Sequence, residues 1–237
     1  MKAIMHYTTT VDSGWVQESS ALPFWKRALD LTFVIALLPL ALPLALLIMI
    51  VIKIASKGPV LFAQERVGYR CQRFQCLKFR TMRTDTDSGV HQEHTAELMN
   101  SSKPWAKMDG VDSRVIPLGG FLRATGLDEL PQLLNIIRGE MSLVGPRPCI
   151  PYEYEQYLPW QKERFDGLPG LTGLWQVSGK NKTTFTEMVK LDIRYVRTAA
   201  LGLDLKIILL TLPTLLGQVL AMVKQTKSVQ KLVPLKS

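Results

Sequence analysis

Cysteine and histidine are scarce in this chain, with three of each among 237 residues. Cys71, Cys76 and Cys149 cannot all pair, which excludes a disulfide framework and points to a reducing compartment. Cys71 and Cys76 are spaced Cys-x4-Cys without a second pair. His91-x-x-His94 has no further ligand cluster nearby. Neither is expected to hold a metal. Acidic residues are few as well: 20 Asp+Glu against 29 Lys+Arg leave a formal charge of +9. Residues 1–22 lack the basic-then-apolar order of a cleaved signal peptide and any lipidation signal, and are expected to form a flexible arm. There is no internal repeat. No motif of a nucleic-acid-binding module appears, so no nucleic-acid partner is expected.

Apolar residues are abundant instead. They make up 47% of the chain, enough to bury a core, which argues against disorder. A pI near 9.5 combined with a positive mean hydropathy of +0.10 is unusual. Basic and apolar together point to an anionic membrane surface, an anionic substrate, or both.

The run Leu31–Ile52 carries no charge. As a helix it is long enough for a hydrocarbon core of about 30 Å. Pro39 and Pro43 interrupt it, and basic residues flank both ends: Lys26 and Arg27 before, Lys53 and Lys57 after. A spanning helix favours charge asymmetry. Symmetry suits a segment, residues 23–57, that enters the bilayer, breaks near Pro43 and returns to the same face; a kinked spanning helix is the alternative. Near the other end, 201–223 is apolar but carries Asp204 and Lys206, with Pro213 inside. It reads as an interfacial amphipathic helix, and with the basic tail (Lys224, Lys227, Lys231, Lys236) it makes 199–237 a unit on an anionic leaflet.

Between these ends, 58–198 is expected to be one domain, mainly α with a small β-hairpin (α+β). Partial alternation over 60–64 and 73–80, with Gly68 between, predicts the hairpin. From Arg66 to Arg83 there are six basic residues and no acid. That stretch is either a solvated or lipid-facing basic surface or a phosphate-binding ledge that includes Lys78 and Arg80. Residues 84–115 are polar and read as a surface insertion.

Leu130, Leu133, Leu134 and Ile137 follow helical spacing, with Pro131 at the start and Gly139 at the end. Asp128 and Glu129 then sit at or just before the first turn, either as plain capping acids or as functional carboxylates. Gly145-Pro146-Arg147-Pro148 holds an arginine between rigid residues, which favours a bidentate grip on phosphate. The stretch 168–181, with Gly170, Gly173, Gly179 and Trp175, reads as either a nucleotide cradle or a surface loop.

These pieces, in this order, resemble the monotopic phosphoglycosyl transferases, or bacterial sugar transferases. The matching residues begin with Lys26-Arg27-x-x-Asp30, Gln64-Glu65-Arg66-Val67-Gly68 and Lys78-Phe79-Arg80-Thr81-Met82. They continue with Arg123-x-Thr125-x-Leu127-Asp128-Glu129-Leu130-Pro131-Gln132-Leu133, then Arg138 to Pro148, then Pro169-Gly170-Leu171-Thr172-Gly173. The resemblance covers roughly residues 24–225. It implies transfer of a sugar-1-phosphate from a UDP-sugar to a polyprenol phosphate, typically undecaprenyl phosphate, with release of UMP. It places that step on the cytoplasmic face of the bacterial inner membrane, at the start of an exopolysaccharide, capsule, O-antigen or glycoprotein glycan.

The same resemblance implies that Asp128 is the nucleophile, through a covalent aspartyl-phosphosugar intermediate, and that Mg²⁺ is held by Asp128 and Glu129. Arg123, Arg147 and Lys78 would neutralise phosphate charge. The family helix breaks at a Ser-Pro pair, which is Leu42-Pro43 here, so the serine is absent. The short N-terminal arm is expected to lack the multi-helix module of larger relatives, and a homodimer is left open. Three competing functions also stay open: a non-catalytic basic membrane-surface protein, one-step transfer in a ternary complex, and glycosyl transfer releasing UDP.

Overall fold

The computed structural model describes residues 22–82, 95–99, 101–104, 115–179 and 182–232, with side chains described up to residue 220. The expected arm before Leu22, the His91/His94 pair, most of the 84–115 insertion and the lysines of the tail lie outside these limits.

Helix α1, Phe24–Ala55, stays helical through both Pro39 and Pro43. The expected break at Pro43 is therefore not an end to the helix. Each proline removes one i→i−4 bond, and the turns on either side persist. Its buried residues are Lys26, Asp30, Val34, Ala41, Ile48 and Ile52, spread from one end to the other. Val34 and Ala41 join a core cluster with Leu133, Ile136 and Val144. Ile48 and Ile52 join a second with Phe79, Ile116 and Leu122. One face of α1 thus rests on the same domain along its whole length, while Ile35, Leu40, Leu42, Leu46, Leu47, Ile50 and Ile54 stand exposed on the other.

The first turns of α1 explain why Lys26, Arg27 and Asp30 occur together. The Lys26 ammonium is buried and donates to the Val144 carbonyl, the Tyr195 hydroxyl and Asp204 Oδ2, each at 2.6 Å. The Tyr195 hydroxyl in turn donates to Asp204 Oδ1 at 2.7 Å. Asp30 Oδ1 accepts from the Ser142 hydroxyl and the Leu143 amide, both at 2.9 Å. Arg27 donates to the Ile136 and Ile137 carbonyls, capping the end of α3 (Gln132–Arg138). The buried ammonium thus uses all three of its donors, whereas Asp30 Oδ2 is buried without a partner among the described residues.

Strands β1 (Leu61–Val67) and β2 (Arg73–Phe79) form the expected antiparallel hairpin, in register Leu61↔Phe79 to Val67↔Arg73. The free edge of β2 does not meet another strand. The Asn135 side chain covers it, accepting from the Leu77 amide (3.0 Å) and donating to the Gln75 carbonyl (2.8 Å). One carboxamide therefore supplies the two bonds a third strand would have made. The same bonds set the burial of α3. Gln132, Leu133, Asn135 and Ile136 are buried, whereas Leu134 and Ile137 of the apolar stripe are exposed. The polar side chains turn inward because the hairpin edge needs partners.

Strand β3 (Ser142–Val144) pairs in parallel with β4 (Gly170–Thr172). Their ends cross so closely that side chains do not fit. A Cβ on Gly145 would lie 2.1 Å from the Leu168 carbonyl oxygen, one on Gly170 2.1 Å from the Gly145 nitrogen, and one on Gly173 2.1 Å from the Gly145 oxygen. The glycines of 168–173 thus serve a backbone crossing inside the domain, and the segment is neither a surface loop nor an open cradle.

The Gly145–Pro148 turn is fixed by α4 (Pro151–Glu155). Arg147 forms a bidentate pair with buried Glu153 at 2.8 and 3.2 Å. Beneath it, fully buried Arg164 donates to the Arg147 carbonyl at 2.6 Å, to Asp192 and to the Tyr157 hydroxyl. Burial pushes the Asp192 carboxyl up to about 6, against the pull of Arg164 and the Arg147 amide, so it is ionised at neutral pH. Asp192 sits on α6 (Phe185–Thr198), whose Thr184 cap receives the Glu187 amide. Helix α7, Leu201–Leu232, completes the fold and also continues through its internal Pro213. Its buried Asp204 meets Lys26, while Leu201, Leu205, Leu209, Leu212, Leu216 and Leu220 are exposed. Over this stretch the acid faces in and the leucines face out.

Two outcomes follow. Asn135→Ala strands the Leu77 amide and is expected to cost about 1–3 kcal/mol and to raise hydrogen exchange at that amide selectively. Glu153 feels burial, which raises its pKa, but Arg147, Arg66 and Arg164 outweigh it and hold the carboxyl below its ordinary 4.5. A depressed native pKa means stabilisation that is complete above the unfolded value and is lost as pH falls through the native one. Glu153→Gln is therefore expected to lose about 2–3 kcal/mol at pH 7, with the gap to wild type closing in acid below pH about 4.5. Denaturant titrations in neutral detergent at several pH values measure this.

Candidate functional site

The acidic pair lies on its own turn. Helix α2 (Gly119–Thr125) ends at Gly126, whose φ of 71° is left-handed and natural to glycine. The chain reverses there into a single 3₁₀ turn, Leu127–Glu129, closed by the Glu129 amide on the Gly126 carbonyl at 3.0 Å. Pro131 then opens α3. The expectation that Asp128 and Glu129 precede the helix start holds, but they belong to this separate turn. Leu127 and Leu130 on either side pack into the cluster of Ile48, Ile52, Phe79 and Leu122. Gly126 lies against α7, with Leu215 3.6 Å from the position of a Cβ. The apolar residues beside the acids thus fasten the turn where α1, α2 and α7 come together, next to their exposed leucine faces.

Asp128 is buried, with 6% of its surface exposed. Glu129 is partly open and accepts from Lys78 Nζ at 2.7 Å. A pair this exposed contributes under about 1 kcal/mol to stability, so its main consequence is placement. Lys78 comes from β2, whose edge is set by Asn135, so the carboxamide, the strand and the lysine form one chain of positioning. Gln64, Cys76 and Lys78 share a face of the hairpin, since Gln64 opposes Cys76 and residues two apart point the same way. Around Cys76, whose thiol is pushed up by burial, Lys78, Arg66 and Arg147 contribute positive field and Glu129 negative. Of these groups, Lys78 and Glu129 are in direct contact, while Arg66 and Arg147 belong to the neighbouring Pro148 and Glu153 contacts.

The other expected cations are placed differently. Arg123 is half-buried in the last turn of α2, one step before the Gly126 reversal. Arg80 is 4% exposed and donates to the Ser56 carbonyl at 3.0 Å, so it clamps the end of α1 rather than presenting an open guanidinium. Gly58 permits this, since a Cβ there would lie 2.3 Å from Arg80 Nη1. Arg147 is tied to Glu153 yet keeps 23% of its side chain exposed.

Arg66 was expected only as part of the basic segment and of the Gln64–Gly68 motif, with no role of its own. It bridges the hairpin to the Arg147 turn through the Pro148 carbonyl (3.0 Å) and Gln64 (2.6 Å). Asn135, Arg164 and Tyr195 carry no local pattern that would have revealed them.

Among the described residues no three His, Cys, Asp or Glu side chains gather as a metal cage. Two adjacent carboxylates suit a cation that takes its remaining ligands from water and phosphate oxygens, which is the habit of Mg²⁺. All three cysteines are free thiols, as expected.

The chain was compared with known proteins. The bacterial sugar transferase family matches residues 21–218. An exopolysaccharide production protein, ExoY, from Sinorhizobium fredii is 42% identical over 190 residues, covering 79% of this chain and 84% of that protein. The UDP-glucose:undecaprenyl-phosphate glucose-1-phosphate transferase of Caulobacter vibrioides is 41% identical over 204 residues, 83% of this chain and 71% of its own length. The galactosyl transferase CpsE of Streptococcus agalactiae is 42% identical over 197 residues, 81% of this chain but 42% of that longer protein. The matched span takes in the first turns of α1, the acidic turn and the glycine crossing, and this chain belongs to the bacterial sugar transferase family.

Proposed function

We propose that this chain is a phosphoglycosyl transferase acting at a membrane surface. It would move a sugar-1-phosphate from a UDP-sugar to undecaprenyl phosphate on the cytoplasmic face of the inner membrane and so start an exopolysaccharide or related glycan. The observation that carries this reading is the Asp128–Glu129 turn, with Glu129 paired to Lys78, set beside an exposed apolar surface. The names of the relatives support it.

In the first step an Asp128 carboxylate oxygen attacks the sugar-bearing β-phosphorus. The bond from that phosphorus to the bridging oxygen breaks, and UMP leaves with the electron pair. An oxygen of undecaprenyl phosphate then attacks the same phosphorus, the acyl-phosphate bond breaks, and Asp128 returns to a carboxylate. No proton needs to move in either step. The turn's rigidity matters because an anion must approach an anion. Lys78 holds Glu129 in place, while the field of Arg66 and Arg147 offsets charge building on the phosphoryl oxygens. Mg²⁺ bound by Asp128 and Glu129 would supply further charge neutralisation to the diphosphate.

The membrane attachment follows from α1 and α7. A straight helix of 32 residues is about 48 Å long, more than a bilayer core. Buried contacts to a single domain occur at both its ends and in between, which favours a helix that enters and leaves on the same side. The six outward leucines of α7 add on the order of 10 kcal/mol of apolar transfer into lipid. This arrangement brings the acceptor's phosphate to the acidic turn without a deep pocket for its tail.

Two measurements test the proposal. Wild-type protein with Mg²⁺ and a panel of UDP-sugars is expected to release UMP and to retain a labelled phosphosugar when the acceptor is withheld, and Asp128→Asn is expected to abolish both. Release of UDP, or near-normal turnover by Asp128→Asn, would overturn the covalent mechanism. For the attachment, single cysteines at Phe24 and Lys57 in a Cys71→Ser background are expected to react with an impermeant reagent from the same side of the membrane. Labelling from opposite sides would mean a spanning helix.

A further inference from the structure

A cleft of about 460 Å³ lies between α5 (Leu174–Val177), α6 and α7, within the range of ligand pockets, about 300–1,000 Å³. Its walls are mostly apolar, including Leu191, Leu203 and Leu210, and its only charged lining residues are Arg194 and Lys206, with no acid. Both cations are exposed, and among the described residues neither side chain makes a hydrogen bond or ion pair. They sit on either side of the Ala199–Ala200 elbow, where the basic face of α6 gives way to the outward leucines of α7. Lys190, Arg194 and Arg197 follow one another at helical spacing along that face, with Trp160 beside them.

We infer that this cleft is a non-catalytic binding site for an anionic phospholipid of the bilayer, its phosphate held by Arg194 and Lys206 and an acyl chain laid along Leu191, Leu203 and Leu210. The charge at the mouth selects an anion. The apolar walls, continuous with the lipid-facing leucines Leu205 and Leu209, select one that carries a hydrocarbon tail and enters from the membrane. The catalytic turn meets α7 at Leu215, five residues beyond Leu210 and about 140° around the helix. The cleft therefore lies on the opposite flank from the acceptor's reacting phosphate. Occupied, it would fix the depth and tilt of α7, the helix against which Gly126 and the acidic turn rest. The inference stands apart from the proposed reaction, since it requires no chemistry at Asp128.

The test is native mass spectrometry of the full chain in neutral detergent with added phosphatidylglycerol or phosphatidylcholine. Wild type is expected to retain one phosphatidylglycerol and no phosphatidylcholine. The double variant Arg194→Gln/Lys206→Gln is expected to weaken that retention at least tenfold, and Lys190→Gln, outside the cleft, to leave it unchanged. Val177→Phe, which fills the cleft and keeps both charges, is expected to weaken retention as well. UMP release in detergent should match wild type in all these variants. Equal retention of the two lipids, undiminished phosphatidylglycerol binding by the double variant and by Val177→Phe, or displacement of the bound lipid by undecaprenyl phosphate would overturn the inference.

Discussion

The buried ammonium of Lys26 is the interaction on which the rest of the molecule depends. Its three hydrogen bonds reach β3 through Val144, α6 through Tyr195 and α7 through Asp204. Those elements are distant in sequence, and among the described residues the node is the polar contact that joins the two long apolar helices directly. Hydrophobic contact alone gives little direction, and at a lipid boundary it hardly distinguishes a neighbouring helix from an acyl chain. A buried pair whose partners each need the other tolerates few geometries. The same turn of α1 holds Asp30 against β3 and Arg27 against the end of α3, so one helical turn sets the frame from which the acidic turn projects.

The catalytic arrangement follows from that frame through a series of short-range constraints. Asn135 seals the β2 edge, β2 carries Lys78, and Lys78 holds Glu129 beside Asp128. The left-handed Gly126 turns the chain so that Leu127 and Leu130 sink into the apolar cluster while the acids stay at its margin. On the far side of the hairpin, Arg66 and Arg147 are held by carbonyls and by Glu153, so their charge is fixed in position before any substrate arrives. A turn held in this way has little freedom left to reorganise.

Much of this was legible in the residues. The hairpin, the long apolar helix, the helix limits at Pro131 and Gly139, and the acidic pair at a helix approach all follow from local pattern, because turns, caps and periodicity are local physics. Other readings failed where a side chain's role was decided by something distant. Leu134 and Ile137 share the helical spacing of Leu130 and Leu133 and yet are exposed, because spacing alone does not say which face packs inward. Asn135 looks like surface and is buried, because its partner is a strand edge 58 residues away. Arg80 reads as part of a basic ledge, yet it closes the end of α1. The glycines of 168–173 suggest a ligand loop and instead permit two backbones to cross.

The sequence by itself determined the class of this protein: a basic, thiol-poor, membrane-seeking chain whose ordered motifs place it among the sugar transferases and single out the adjacent acids Asp128 and Glu129. Only the tertiary structure decided which cations surround those acids, which face of each apolar helix looks outward, and that α1 lies against one domain from end to end. The reason is that spacing along a chain fixes what neighbours in sequence do. Pairings such as Lys26 with Asp204 or Lys78 with Glu129 join residues that only folding brings together.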